Sequence, residues 1–485
     1  MIRAVPLPPR WERLGEGLRR AAVAVMVGLA AGALVAILQP LVALLAILAI
    51  GLTIGACLLP VGRFWLLAAV ITLLPFAAVP RLGIQPTLLD GVVALLLVVA
   101  AARLLLRAEP AVRTPLDLPI AVYVGLCCVS FVLGSAYGMT SETAKYFLRI
   151  VAAILLFFAL TNGLTTRRRL ASFANALVLG SFASAVLGVL LQLAGQDTAV
   201  RILSALGPLG YPTDRDDIIR LIAGTTIWRA VSTSVDPNIF GGLLMTGTLL
   251  LIGRVLGRPS IRVWLMSLPV LAIMGWALLL SYSRGAWVGL AAGVLFLALI
   301  RYRKALPIIA LAVAVAVATL ADSDFGKHLV SGFLVEDKAA AMRLGEYKDA
   351  VNFIGEYPFF GVGFGTTPSG SAITPSADIY VGVSNIYLLM ALETGLLGVA
   401  GFGVVIGTAA VWAWRRYKTA DPPAQAWIAT ASAVLFAAGV AGIADHYFFR
   451  FPHMVALFWA LVAMLAAAAR LSKQAGDEPV RVEGR

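Results

Sequence analysis

Residues 305–321 read ALPIIALAVAVAVATLA, an unbroken apolar run between a basic cluster at 301–304 and a long polar stretch at 322–384. An apolar run of roughly 17 residues or more is typical of a helix that crosses a bilayer, where an α-helix satisfies all of its own backbone hydrogen bonds. The chain is 60% hydrophobic and only 13% charged, which favours a polytopic membrane protein over any soluble class.

Comparable apolar runs occur along the whole chain. They lie near 21–38, 41–59, 64–79, 88–107, 118–136, 146–162, 171–194, 239–256, 263–281, 285–300, 305–321, 385–413, 426–444 and 453–470. At roughly 20 residues for each span, the sequence predicts an all-α polytopic membrane protein with about fourteen transmembrane helices. We expect residues 1–485 to form a single transmembrane domain.

The basic clusters predict the orientation of these spans. They occur at 167–169, 254–262, 301–304 and 415–418. All fall on the inner side if both termini are cytoplasmic, as the positive-inside rule requires. The two long polar segments, 195–238 and 322–384, then lie outside as loops. This distribution accounts for the net charge of +13 without a nucleic-acid partner.

The second loop contains an amphipathic helix pattern. Its apolar stripe consists of Leu344, Tyr347, Val351 and Ile354. Spacings of 3, 4 and 3 place these side chains on one helical face, suited to the membrane surface or to other helices. Arg343, Glu346 and Asp349 lie off the stripe, and Gly355 and Pro358 are expected to end the helix.

Three arginines on the outer side are candidates for binding an anion. Arg284 lies in a very short link between two spans, and Arg229 and Arg343 lie in the two long loops. Taken singly, each is also consistent with an interfacial or solvated arginine, and Arg343 with a surface pair to Glu346. If the three converge, they suit a pyrophosphate, because guanidinium groups bind phosphate oxygens bidentately and stay charged.

Two other motifs bear on the chemistry. The glycines at 361, 363 and 365 follow no strand and lack the lysine of a nucleotide-binding loop, so we interpret them as shaping a link. His446 follows Asp445 at the outer end of a span, where the pair forms either a base with its orienting carboxylate or a polar cap. No metal-ligand spacing occurs, and no metal site or cofactor is expected.

Four elements between about 225 and 400 resemble the O-antigen polymerase and O-antigen ligase superfamily. They are Arg229 to Asn238 with its Asp-Pro-Asn ending, the Ser-Arg-Gly-Ala-Trp sequence at 283–287, the loop helix from Arg343 to the glycines at 361–365, and Ser384-Asn385 with Glu393, Gly395 and Gly398. Their order and spacing make the resemblance more specific than any one element.

The resemblance implies a glycosyltransferase of the bacterial inner membrane whose active site faces the periplasm. It would take a polyprenyl-pyrophosphate-linked oligosaccharide as donor, bind membrane lipid and act with a chain-length regulator. The resemblance implies that Arg229, Arg284 and Arg343 are catalytic, and we add Glu346 and His446 as candidate catalytic residues. As substrate-binding residues we expect Arg220, Asn238, Ser283, Tyr347, Asn385 and Tyr387. Arginine cations would stabilise the leaving pyrophosphate without a metal.

One departure from the family's pattern bears on the reaction. Ligases of this family have a histidine, the proposed base, where this chain has Ser384. The serine favours a polymerase of O-antigen, capsule or exopolysaccharide repeat units, with Glu346, Asp349 and His446 as candidate bases. The alternatives are an O-antigen ligase acting on lipid A core and, in another class, a lipid-linked oligosaccharide flippase or transporter.

Overall fold

The computed structural model describes residues 61–78, 86–106, 111–134, 140–222, 225–257, 260–320, 323, 326, 338–364 and 383–472. The chain divides into two compact units at Leu66. The first unit is described only at 61–66, and the whole candidate site lies within the second. The predicted single domain over 1–485 remains a prediction.

Most of the described residues are helical. The helices are α1 (Gly62–Leu73), α2 (Leu88–Leu105), α3 (Asp117–Gly134), α4 (Ser141–Gly163), α5 (Arg167–Ala194), α6 (Gln196–Ser204), α7 (Arg215–Ile218), α8 (Pro237–Leu256), α9 (Ile261–Leu280), α10 (Arg284–Ile300), α11 (Leu306–Leu320), α12 (Lys338–Glu356), α13 (Ile386–Thr419), α14 (Pro422–Ala441), α15 (Tyr447–Arg450) and α16 (Pro452–Leu471). Within these residues there is no strand, and only two isolated bridges occur.

The fold is that of an all-α, multi-pass membrane protein. Among the described residues, nine helices are long and apolar enough to cross a membrane. Twelve of the apolar runs in the sequence coincide with helices, including the shorter α1, α10 and α11. The runs at 21–38 and 41–59 lie outside the described residues, so the total of about fourteen spans stays a prediction.

Helices α8 and α16 form the centre of the bundle, because nearly all of their residues are buried. α8 packs against α5, α9, α10 and α14, and α16 packs against α4, α13 and α14. Gly289 and Gly293, one turn apart on α10, bring that helix close to α8 and α14. Such small residues allow close packing where lipid offers no hydrophobic driving force between helices. Peripheral helices expose large apolar side chains such as Val98 and Met266, as lipid contact requires.

The two ends of the bundle differ in chemistry. At the basic end, Arg167 binds the Asp421 carboxylate through two hydrogen bonds of 2.7 Å, and Arg301 donates to Gln425. The opposite end, here called the loop end, carries the described residues of 205–236, 281–283, 338–364 and 442–451. Basic side chains at one end agree with the predicted inner side, although the orientation itself stays a prediction.

Helix α13 is broken near its start. Gly395 has φ 68° and ψ −177°, which interrupts the helical hydrogen bonds. The segment that follows α12 supplies replacements: Val362 N–H donates to Leu392 O, and Leu396 N–H donates to Pro358 O. The loop therefore contacts α13 about 10 Å along the helix axis from its first residue, at the usual rise per residue. Non-helical backbone within an apolar helix is tolerated where protein covers it, and Gly395 is buried.

Helix α12 forms as predicted and ends at Glu356, before Pro358. The face that packs against the protein differs from the apolar stripe. Leu344 and Val351 are exposed, whereas Glu346 and Ala350 are buried. The buried Glu346 carboxylate accepts a hydrogen bond from the backbone N–H of Ser384, shortly before α13. The exposed stripe remains suited to a membrane surface.

Candidate functional site

Arg229 joins two segments at the loop end. Its Nε donates to Ser281 O at 2.9 Å, and its Nη2 donates to Asn238 Oδ1 and to Tyr282 O. The neighbouring Ala230 N–H donates to Leu280 O, which extends the contact. The remaining nitrogen, Nη1, makes no hydrogen bond with any described residue. Arg229 therefore links the two segments, and the N–H groups of its Nη1 are still available to an anion.

The two segments that Arg229 joins both contain a non-glycine residue with positive φ. Val235 has φ 58° and Tyr282 has φ 49°. Such conformations cost of order 1–3 kcal/mol for side chains with a Cβ and occur where the surroundings impose them. Val235 precedes Asp236, whose carboxylate caps α8 by accepting from Asn238 N–H and Ile239 N–H. The strained backbone thus lies directly beside the groups that hold the guanidinium.

Arg284 and Arg343 lie near Arg229. Burial, together with the positive charges of Arg343 and Arg284, lowers the pKa of Arg229 to about 10. Asp236 and Asp445 act in the opposite direction. Arg229 remains protonated at neutral pH. Three cations from 229, 284 and 343, far apart in sequence, are brought into one electrostatic cluster.

Arg343 differs from Arg229 in its contacts. It is partly buried, yet it forms no hydrogen bond or ion pair with any residue in the described part of the chain. Arg284 begins α10, directly after Ser281-Tyr282-Ser283, the short link that the sequence predicts. Since like charges repel each other, gathering three guanidinium groups is favourable only where anionic groups are close.

Asp445 and its neighbour His446 lie beside the three arginines. Asp445 is buried, which raises the pKa of its carboxyl, and Asp236 raises it further, whereas His446 and Arg343 oppose this. The Asp445 carboxylate accepts from the His446 backbone N–H at 2.8 Å. His446 Nδ1 lies 3.6 Å from the same oxygen, too far for a hydrogen bond. The predicted orientation of the imidazole by Asp445 is therefore not formed in this geometry.

Glu346 connects α12 to the residues before α13. Its Oε2 accepts from the Ser384 backbone N–H at 2.9 Å. Glu346 is 4% exposed, and burial raises the pKa of its carboxyl. Tyr347 OH donates to Ser384 O at 2.9 Å and to Ile443 O at 3.3 Å. Together these contacts fix α12 over Ser384.

Asn385 and Tyr387 hold the start of α13. Asn385 Oδ1 caps the helix, and its Nδ2 donates to Ile443 O at 3.0 Å. Tyr387 OH donates to Gly439 O, which joins α13 to α14. Both residues therefore hold the start of α13 against its neighbours, and Tyr387 also lines an apolar groove.

The groove has a volume of about 700 Å³ and lies between α13 and α14. At the loop end it is lined by Ile386, Tyr387 and Ile443, and at the basic end by Trp414 and Tyr417. Because the same Ile443 carbonyl accepts from Tyr347 and Asn385, the head of the groove adjoins the charged cluster. The combination suits a ligand with an anionic head and a long apolar tail.

For the remaining predicted site residues, the structure shows other contacts or no contact with the cluster. The Arg220 side chain is exposed, and only its carbonyl takes part, accepting from Arg229 N–H. Ser283 is buried, and its N–H donates to Ser281 Oγ. No contact of Asp349 with the cluster is found among the described residues. The predicted roles of all these residues stay predictions.

Two acidic residues of the cluster are not part of the predicted site. Asp236 stands in the Asp-Pro-Asn element, where an aspartate before proline at a helix start is a strong cap signal. In the sequence, Asp445 has a role only as a partner of His446. Its neighbours Asp236 and Arg343 are more than 100 residues away along the chain, so no local pattern indicates the grouping.

Fold and cluster together define a multi-pass helical membrane protein with a mixed cationic and acidic site at one end of the bundle. Residues 269–403 match the family model described as O-Antigen ligase. The match confirms the resemblance to the O-antigen ligase and polymerase superfamily. It includes Arg284, Arg343, Glu346 and Ser384, whereas Arg229 and Asp445 lie outside it. No curated protein matched the chain.

The match supports an O-antigen ligase or polymerase type of function in the broad sense, in a family of glycosyltransferase-like enzymes. Within the described residues, no group of three or more histidine, cysteine, aspartate or glutamate side chains is arranged to hold a metal ion. The expectation of a metal-independent reaction stays a prediction.

Proposed function

We propose that this chain is a bacterial inner-membrane polymerase that joins lipid-linked oligosaccharide repeat units at the periplasmic face. The donor is a polyprenyl-pyrophosphate-linked glycan, and the acceptor is the next lipid-linked repeat unit. The observation that carries the proposal is the cluster of Arg229, Arg284 and Arg343 at the head of an apolar groove that extends along α13 and α14. The pyrophosphate head of such a donor would bind to the arginine cluster, and its polyprenyl tail would lie in the apolar groove.

The arginines stabilise the pyrophosphate as it leaves the donor. The acceptor hydroxyl oxygen attacks the anomeric carbon of the donor, and the bond from that carbon to the pyrophosphate oxygen breaks. Negative charge then develops on the pyrophosphate. Preorganised guanidinium groups in a partly buried site stabilise that charge more than water does. Arg343, which has no hydrogen-bonding or ion-pairing partner among the described residues, is the most available of the three.

One feature favours a polymerase over a ligase. Ser384 stands where ligases of this family have a histidine, and its backbone N–H donates to Glu346. Because the matched family model bears the description O-Antigen ligase, transfer to lipid A core is the second candidate.

The test is a reconstitution of purified protein in liposomes with a lipid-pyrophosphate-linked oligosaccharide as the sole substrate. Products are separated on a gel. A ladder of integer multiples supports the polymerase. Transfer only after addition of lipid A core identifies a ligase instead. If the lipid-linked oligosaccharide only changes leaflet and no glycosidic bond forms, the protein is a transporter and the proposal is wrong.

A further inference from the structure

A second groove lies on another face of α13, between that helix and the segment that precedes α3. It has a volume of about 470 Å³, and its lining includes Pro115 before α3 and Val404, Gly407, Trp412 and Arg415 on α13. None of these residues lines the groove between α13 and α14. Helix α13 therefore presents two separate grooves, and the second one has an arginine at its basic end.

The length of the second groove matches one leaflet of a bilayer. Among its α13 residues, Val404 is the first and Arg415 the last, 11 residues apart. At about 1.5 Å per residue this distance is roughly 16 Å. The hydrocarbon core of a bilayer is about 30 Å thick, so one leaflet contributes about half of that. The groove therefore has the length of a single leaflet, the one whose headgroups lie at the basic end.

The middle of the second groove is open and apolar. Gly407 has no neighbouring segment within 4 Å of the position that a Cβ would take. Val404 and Val411, on either side of it along the helix, are both exposed. The missing side chain at Gly407 leaves a depression between two valines, and an acyl chain that fills it removes apolar surface from contact with other solvent.

Arg415 has no counter-charge from the protein. It is exposed and forms no hydrogen bond or ion pair with any residue in the described part of the chain. Two carboxylates at the basic end are engaged by other groups. Asp117 accepts from the N–H and Oγ1 of Thr114, and Asp421 forms its ion pair with Arg167. The charge of Arg415 is therefore available to an anion from outside the chain.

We propose that the second groove binds an anionic glycerophospholipid, with the lipid phosphate on Arg415 and one acyl chain along Gly407 and Val404. Basic pockets between membrane helices on the positively charged side are suited to such headgroups. Arg113, two residues before Pro115, is exposed and supplies a second cation near the same end. Trp412 places an aromatic ring at the level where headgroups and acyl chains meet.

The polyprenyl donor is a poorer match for this site. Its pyrophosphate is proposed to bind at the loop end, whereas the cation of the second groove lies at the opposite end of the bundle. A groove about one leaflet long also suits an acyl chain better than a polyprenyl chain that extends further. The lipid site is independent of the proposed reaction, because none of its residues belongs to the cluster of Arg229, Arg284 and Arg343.

The experiment measures which lipids remain bound to the purified protein. The protein is equilibrated in mixed micelles with equal amounts of phosphatidylglycerol and phosphatidylcholine that carry the same acyl chains, and retained lipids are counted by native mass spectrometry. Wild type should retain phosphatidylglycerol in preference. Arg415→Gln should reduce this preference about fivefold, the equivalent of about 1 kcal/mol for one basic residue near an anionic lipid.

Arg262→Gln is the matched control for charge. Arg262 is also an exposed arginine at the basic end without a hydrogen bond or ion pair among the described residues, but it does not line the second groove. Its replacement should leave the preference unchanged. Equal losses in Arg415→Gln and Arg262→Gln would show that Arg415 is an ordinary interfacial arginine, and would overturn the proposal.

Gly407→Leu tests the acyl-chain part of the site. The leucine fills the depression and should lower phosphatidylglycerol retention about tenfold, the effect of removing roughly two buried CH₂ contacts. Gly125→Leu on α3 is the control, because Gly125 is exposed, has equal room for a side chain and lies outside the groove. Unchanged retention in Gly407→Leu, or a wild type with no preference for phosphatidylglycerol, would also overturn the proposal.

Discussion

Gly361 and Gly395 interlock at the break in α13. They have φ of 67° and 68°, and neither has room for a Cβ, because the backbone of Leu392 and Glu393 lies against Gly361 and that of Phe359 and Phe360 lies against Gly395. Each glycine therefore makes space for the other's segment. This contact fixes the end of α12 to the start of α13, and with it the distance from Arg343 and Glu346 to Ser384.

Gly395→Ala should destabilise the protein by at least about 2 kcal/mol, because it adds a strained positive φ and a backbone clash. Thermal unfolding in detergent measures the loss. Gly403→Ala on the same helix is the matched control, since no neighbouring segment lies within 4 Å of the position that its Cβ would take. Equal stability of the two variants would contradict the interlock.

The sequence predicts the helices far better than it predicts this contact. Apolar runs such as 426–444 indicate a span because a helix that crosses a bilayer needs a long, predominantly apolar stretch. The break at Gly395 lies inside the apolar run 385–413, and a single glycine is common within membrane helices. Its effect depends on Gly361, which is 34 residues earlier. The convergence of Arg229, Arg284 and Arg343 is equally non-local, and the four-motif resemblance, rather than any residue pattern, is what indicates it.

Arg343→Lys should reduce donor affinity about 10-fold or more and leave stability unchanged. A lysine keeps the charge but loses bidentate binding, and hydrogen bonds to charged groups contribute roughly 1.5–3 kcal/mol. Arg343 has no hydrogen bond or ion pair within the described residues, so the fold does not depend on its geometry. Binding is measured by competition with polyprenyl pyrophosphate, and stability by thermal unfolding.

The matched comparison is Arg229→Lys, because Arg229 also holds Ser281 and Asn238 and its loss should lower stability as well as donor affinity. Arg215→Lys is the control, since Arg215 forms an exposed pair with Asp197 and is expected to affect neither. Unchanged donor binding in both Arg343→Lys and Arg229→Lys would remove the cationic cluster from the donor site.

The ion pair between Arg450 and Glu393 should stabilise the helix bundle next to the site. Arg450 Nη1 donates to Glu393 Oε1 at 2.9 Å, and the glutamate is fully buried. Arg450→Met leaves a buried carboxylate without this cation and should cost about 3–5 kcal/mol. The double variant with Glu393→Leu should recover much of that loss in thermal unfolding. Additive losses in the double-mutant cycle would show that the pair is not coupled.

Removing divalent metal ions should leave the transfer rate unchanged. Arginine cations already compensate the charge that develops on the pyrophosphate, which is the role a magnesium ion otherwise has. The measurement is ladder formation after treatment with EDTA. A loss that added Mg²⁺ restores would show that a metal ion takes part.

Filling the groove should weaken the binding of long-chain donors more than that of short-chain donors. Ala410 lines the groove on α13, nearer to Trp414 at the basic end than to Tyr387 at the loop end, and it is exposed. Ala410→Phe places a ring in the path of a polyprenyl tail without touching the arginines. Each buried CH₂ contributes about 0.8 kcal/mol, so loss of a few isoprenoid contacts should raise Kd at least about tenfold.

The comparison between donors makes this prediction specific. A short-chain analogue with the same pyrophosphate head does not reach Ala410 and should bind wild type and Ala410→Phe equally. Val122→Phe on α3 is the control, because Val122 is exposed on another helix and does not line the groove. Equal binding of the long-chain donor to wild type and Ala410→Phe would show that the tail runs elsewhere. The cluster would then bind the pyrophosphate head independently of the groove.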